Sequence, residues 1–344
     1  PRMLHAKLLR SPHPHARILA IDTSAAEALP GVHAVLTGRA LPIKFGILPV
    51  SQDEEALAID KVRYVGDPVA AVAAVDEETA EAACRLIQVE YEVLPAIMSM
   101  EEALAREDVR IHDYGPRGNI HKEVSLEFGN VEEGFAQADY IREDVFHYEG
   151  STHLPMEQHA ALGSYGPDGK LCLWSSTQTP HYVHRAVAKV LELPASHIRV
   201  IATPHGGGFG GKSDVFNHEI VVCKLSMLTG RPVKICLTRE EVFYAHRGRH
   251  PVRMWFRTGV KRDGSITAMH FRSYLDGGAY GSYGTASTFY TGALQTATYA
   301  VENYHFRGAR FFTCKAPCGP KRGHGTPQPR FALEVQLDKI ACDL

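Results

Sequence analysis

No CxxC pair occurs in these 344 residues, and the seven cysteines are scattered and odd in number. That argues against a disulfide framework and against a four-cysteine metal or iron–sulfur site. Reduced thiols in a cytoplasmic protein are the expectation, and no signal-peptide pattern opens the chain. Neither charge sign dominates, with 37 Lys and Arg against 39 Asp and Glu. A nucleic-acid partner would need a clearly basic face, so none is expected. The longest apolar run, 68–75, falls short of the roughly 18 residues a membrane span requires. Histidines number nineteen, yet no HExxH spacing occurs. His181 and His184 lie three apart with no third ligand in reach by sequence, so no zinc site is expected. Cys314 and Cys318 read as loop thiols.

The length suits about two domains. Residues 1–104 mix short strands and helices. "ARILAID" (16–22) and "VHAVLTG" (32–38) read as strands and "PVAAVAAV" (68–75) as a buried one. Asp76 caps a helix with acids in its first turn, and "QVEYEVL" alternates like a half-buried strand. Residues 105–122 are polar, carry "GPRGN" and read as a linker. Residues 123–344 hold two hairpins, 160–176 and 253–271. Between them, Pro180 opens a helix to Leu191, and 197–204 reads as a strand. "PHGGGFGGKSD" (204–214) follows, then an all-round apolar helix stopped by Gly230. The fold class is α+β. The chain opens on Pro-Arg and ends inside an apparently helical run, so it reads as a fragment.

The glycine stretch fits two patterns. Gly206, Gly211, Lys212 and Ser213 fit a phosphate loop; Gly206, Gly208 and Gly211 fit the dinucleotide fingerprint. No run of four apolar residues ending in Asp follows the glycine stretch to offer a second magnesium carboxylate, which speaks against the first. The second needs an acid about 20 residues on and alternating βαβ units; Glu240 is late and the hairpins do not alternate so. A plain structural turn stays open. A nest of exposed amides holding an anion or an oxo group is the remaining reading.

"SSTQTP" (175–180), "GGGFGGK" (206–212), "GGAY" (277–280) and "PCGPKRGHGTPQPR" (317–330) occur in order, after "RSPHPHARI" (10–18). This series resembles the molybdenum hydroxylases, the xanthine dehydrogenase and aldehyde oxidase family, over essentially the whole chain. The resemblance implies a small hammerhead α+β domain followed by the first of two molybdenum-cofactor-binding domains. It implies a molybdenum–molybdopterin cofactor, usually as the cytosine dinucleotide in bacterial members. Partners would be an iron–sulfur subunit carrying [2Fe-2S] clusters, an FAD subunit, and a second molybdopterin-binding domain holding the general-base Glu. No catalytic residue is then expected in this chain; Glu157 and Glu219 read as paired structural acids.

By the same resemblance, Gln178 would hydrogen-bond an oxo ligand or the pterin. Phe209 and Gly210 would offer backbone N–H groups to the apical oxo ligand, with Gly208 allowing close approach. Arg322 would bond the oxygen side of the cofactor or orient substrate. Ser213, Tyr290 and His324 would line the substrate side. Purine-oxidising members carry a carboxylate, an Arg and a Phe near these three positions, so purines are disfavoured. "PCGPKRGHGT" and "YTGAL" look most like the 4-hydroxybenzoyl-CoA reductase branch; an aldehyde or N-heterocycle hydroxylase is the alternative. A fragment that binds cofactor or partners without turnover, and an NAD-binding protein, are the competing functions. "HRGRH" (246–250) reads as a solvated basic turn rather than a phosphate clamp.

Overall fold

The computed structural model describes residues 1–245 and 247–344. The first region contributes β1 (Leu4–Arg10), β2 (Ala16–Asp22), α1 (Ser24–Glu27) and β3 (Val32–Thr37). It continues with β4 (Lys61–Val62), β5 (Pro68–Ala74), α2 (Glu77–Leu86), β6 (Gln88–Val93) and α3 (Met100–Ala105). There follow β7 (Ile120–Phe128), α4 (Val131–Ala136), β8 (Tyr140–Tyr148), β9 (Ala160–Tyr165), β10 (Leu171–Ser175) and α5 (Pro180–Val190). Next come β11 (Ile198–Ala202), α6 (Asn217–Thr229), β12 (Val233–Cys236) and α7 (Arg239–Ala245). The chain closes with β13 (Val252–Val260), β14 (Ile266–Asp276), α8 (Gly284–Ala293), β15 (Tyr304–Phe311) and α9 (Pro327–Asp343).

Three sheets organise these elements. The largest runs β11-β10-β9-β12-β1-β5-β3 and so joins strands from the start of the sequence to strands from its middle. Its seam is the parallel pairing of β1 with β12, Leu4 opposite Val233. Every residue of β5 is buried. Ala70 and Val72 pack with Ala83 and Cys84 of α2 on one face. Ala71 and Ala73 join the core around α6 on the other. A strand covered on both faces reads as a continuous apolar run, as β5 does. The same logic explains α6, whose apolar residues on every side meet the sheet and α5. Asp76 caps α2 as expected, its carboxylate accepting from the Thr79 N–H at 2.8 Å.

The second sheet, β7-β15-β14-β13-β8, buries one face beneath α8 and α9. Phe256, Phe271 and Phe306 stack across its centre at 4.0 and 5.1 Å. The third, β4-β2-β6, is small. The polar stretch 105–122 is tied down rather than loose. Asn119 accepts from the Ile111 N–H and donates to the Val109 carbonyl. Val109, Ile111 and Ile120 pack with Phe311 and Phe312.

Candidate functional site

The glycine stretch joins β11 to α6. Lys212, the residue a phosphate loop would aim at its ligand, is fully buried and ion-paired with Glu157 at 2.5 Å. The Glu157 carboxylate also accepts from the Gly206 N–H at 3.0 Å. A lysine so placed has no reach towards a phosphate. The dinucleotide reading fails on topology: β12, the strand after α6, lies three places from β11 in the sheet rather than beside it. Glu157 thus keeps its structural part. So does Glu219, which accepts from Ser175 Oγ at 2.6 Å and from the Phe216 N–H at 2.8 Å.

Gln178 lies directly on the loop. Its Oε1 accepts from the Gly210 N–H at 3.0 Å and the Lys212 N–H at 3.2 Å. Its own backbone N–H donates to the Lys212 carbonyl at 2.7 Å. The amide oxygen is therefore engaged, and the exposed side chain keeps its NH₂ as a donor. Gly208 makes this approach possible, because a Cβ there would lie 2.5 Å from Gln178 Oε1. One expectation is corrected here. The Gly210 N–H does not face a ligand, because the Gln178 oxygen already takes it.

Phe209 sits at φ +55, a left-handed backbone uncommon for a bulky residue. That turn leaves its ring 48% exposed. Its carbonyl accepts from the Arg322 N–H at 2.9 Å. Its own N–H has no hydrogen-bond partner among the described residues. Ser213, expected on the substrate side, donates its hydroxyl to the Gly210 carbonyl at 2.6 Å and so braces the loop from within.

The second loop, 317–325, packs against the first. A Cβ on Gly210 would meet the Pro320 carbonyl at 2.7 Å. Arg322 is exposed, and its guanidinium has no partner among the described residues. Two residues on, His324 stands edge-on to Tyr290 and Tyr283, with ring centroids 5.4 and 5.7 Å away. Its Nε2 lies 2.6 Å from Ser287 Oγ on α8. Burial, then the Arg249 charge, push the His324 pKa down to about 4. Phe289 and Tyr290 remain partly exposed beside it.

A buried brace supports both loops. Arg247 bonds Asp214 at 2.9 Å and also Glu54; all three are nearly sealed from solvent. Ser282 donates to the same Asp214 carboxylate. Arg249 donates to the Arg322 carbonyl at 2.6 Å, and His250 contacts buried Arg310. "HRGRH" is thus not a solvated turn: Arg247, Arg249 and His250 are interior, while His246 lies outside the described residues. The acids that neutralise Arg247 stand far away in sequence, so the charge run looked free. Three neutral histidines complete the support. His153 contacts the Pro320 carbonyl at 2.7 Å and His159 the Gly211 carbonyl at 2.9 Å. His218 is edge-on to His159.

The rim above this brace is therefore rich in donors: the Gln178 NH₂, the Phe209 N–H and the Arg322 guanidinium. Gln178, Phe209 and Arg322 all lie open to solvent, and a cleft of about 600 Å³ lies elsewhere, lined by His15, Lys44, Lys61 and Arg63. Among the described residues, no group of three His, Cys, Asp or Glu side chains is placed to hold a metal ion. No helix among them is long and apolar enough to cross a membrane.

The model of the molybdopterin cofactor-binding domain matches residues 111–344. That of the a/b hammerhead domain of aldehyde oxidase and xanthine dehydrogenase matches residues 1–95. The chain belongs to the xanthine dehydrogenase and aldehyde oxidase family. Within that family it is 38% identical to the nicotinate dehydrogenase large molybdopterin subunit of Eubacterium barkeri, over 99% of this chain and 79% of that one. It is 36% identical to the xanthine dehydrogenase molybdenum-binding subunit of Escherichia coli O157:H7, over 99% of this chain and 46% of that one. The aldehyde oxidoreductase of Desulfovibrio gigas superposes with a TM-score of 0.94 at 30% identity, covering all of this chain and 39% of that one. Quinoline 2-oxidoreductase of Pseudomonas putida 86 gives 0.92 at 33%, over 99% and 45%. The chain thus spans less than half the length of three of these four family members. The 4-hydroxybenzoyl-CoA reductase branch finds no support among these relatives.

Proposed function

We propose that this chain holds one side of a molybdopterin cofactor in a molybdenum hydroxylase acting on an aldehyde or an N-heterocycle. The observation that carries the reading is the donor-rich rim, where acceptor atoms are engaged internally and donors are left outward. Gln178 Oε1 takes two backbone amides, so only its NH₂ faces out. Such a set matches a group that presents oxygen acceptors. Gln178, the Phe209 N–H and Arg322 would hold the oxygen ligands or the pterin, with Gly208 giving Gln178 its room. When bound, the cofactor supplies the two-electron redox chemistry. The chain's own residues bind, orient and exclude water: Tyr290 and His324 wall the substrate side, and the partly exposed Phe209 ring stands at its edge.

The open rim also bears on partners. Leu154 and Met156, 52% and 90% exposed, lie in the segment whose Pro155 meets the glycine loop. Exposed apolar groups beside a donor cluster suit a covering domain. A second molybdopterin-binding domain would close the site and bring the general-base Glu. The cytosine dinucleotide form, and iron–sulfur and FAD partner subunits, belong to the same proposal.

The test is molybdenum and pterin content per chain, measured in the full-length gene product from a molybdenum-replete host. Wild type should carry close to one molybdenum, and Arg322→Ala should lose most of it while remaining folded. A molybdenum-free protein that binds NAD tightly would replace this reading with a nicotinamide one.

A further inference from the structure

We propose that the open groove across the second sheet docks a separate protein that presents carboxylates, which bridge Arg272 and Arg307. This goes beyond the cofactor reading and does not depend on it.

The register of the sheet builds the groove. α8 and α9 cover one face, so the alternate residues of each strand line the other. At one end of that face Arg253 pairs with Glu101 of α3 at 3.2 Å. At the other end Arg257 lies over the Phe135 ring of α4 at 4.2 Å. Between the two helices one rung stays uncovered. It runs Ser125, Arg307, Arg272, Trp255 and Val145, one residue from each strand. Five strands give this floor a length of about 19 Å. Two hollows of about 450 and 330 Å³ lie along it and share Arg272 and Tyr274.

The floor is cationic and lacks a counter-ion. Arg272 and Arg307 are direct register partners, so their Cα atoms stand about 5 Å apart. Like charges so placed repel. No acid lies within ion-pairing distance of either among the described residues. Glu123 borders the larger hollow from the edge strand without pairing with them. Glu143, on the opposite edge strand, accepts from Trp255 Nε1 at 2.7 Å. The two guanidiniums are instead laid flat: Arg272 over the Trp255 ring at 4.3 Å, and Arg307 donating through Nε to His305 at 3.1 Å. Their remaining N–H groups point to no protein acceptor. Next to them, burial and then His305, Arg272, Arg307 and Arg257 push the His270 pKa down to about 4, as a positive local field requires.

The shape and the lining argue for a protein rather than a small anion. Small ligands favour enclosed pockets, whereas this groove is long and open. Val145 and Tyr274 are 60% and 40% exposed beside the arginines. Arg, Trp and Tyr are the side chains that carry most of the binding energy between proteins. The groove also faces away from α8, whose Tyr290 walls the rim. A domain that closes the rim therefore lies on the other side of the sheet.

Photo-cross-linking tests this in the full-length gene product, in its native host, with p-benzoylphenylalanine replacing Tyr274. Mass spectrometry should find the cross-link on a different chain, in a segment with at least two Asp or Glu. Arg307→Glu should cut its yield about tenfold or more, and exchanging the nearest partner carboxylate for Arg should restore it. Arg307→Gln, which removes charge without reversing it, should also lower the yield. Arg307→Glu should not lower Tm, since it turns a like-charge pair into an opposite one. Arg85→Glu, on exposed α2, should leave the yield unchanged. A cross-link to the remainder of the same chain, to a second copy, or to a segment without acids overturns the proposal. So does the absence of a cross-link, or an equal loss in Arg85→Glu.

Discussion

The rim and the brace beneath it are built on opposite terms. On the rim, Gln178, Phe209 and Arg322 are exposed and keep donors unpaired. A few residues deeper, Arg247, Asp214, Glu54 and Ser282 are buried and pair with one another. The brace completes its own hydrogen bonds; the rim leaves its groups incomplete. Incomplete hydrogen bonding is tolerable only at the surface, where water serves until a ligand arrives, because an orphaned buried group costs about 1–3 kcal/mol. The difference shows which residues can be altered for binding and which cannot be touched without loss of the fold.

Acid should separate the two most strongly. Burial pushes the pKa of His153 down to about 4 and those of His159 and His218 down to about 3. Their folded values lie below the usual 6.5. Their stabilising contribution is thus complete above that pH and is lost as pH falls towards 4, at up to about 1.4 kcal/mol per pH unit for each. Thermal melts between pH 7 and 4.5 should show a steep fall in Tm; a flat profile would mean the brace does not depend on neutral histidine. Next in size, Arg247→Met should cost about 3–5 kcal/mol in denaturant unfolding, because it strands two buried carboxylates. Adding Asp214→Asn and Glu54→Gln should recover part of that loss. If the single variant unfolds like wild type, the ion pairs are not the support claimed for them.

The smallest effect on stability belongs to the rim. Gly208→Ala should change unfolding by under about 1 kcal/mol yet lower molybdenum content about tenfold, because its methyl displaces Gln178. Equal damage to fold and occupancy would erase the contrast between the two layers.

How much of this was legible follows the same divide. The hairpins, the Asp76 cap, the Pro180 start and the apolar helix before Gly230 were readable, since each is written in adjacent residues. The order of motifs exposed the family and brought Gln178, Phe209 and Arg322 forward as candidates. The direction of each donor was not readable. Gly210 and Ser213 face inward because Gln178 and a loop carbonyl take them, and that depends on where the chain returns. The basic turn was misread for the same reason: Arg247 finds Glu54 from 193 positions away. Ser287 carried no signal at all until α8 set it against the second loop.

The pairing of Leu4 with Val233 has a consequence for biogenesis. On the ribosome, the outer edge of β1 emerges well before the strand it must wait for. Until then it is an unpaired strand edge, open to mispairing with another nascent chain. Slow or interrupted synthesis between those two points should therefore favour aggregates, and chaperones that shield strand edges should matter more here than for a protein whose sheets close locally.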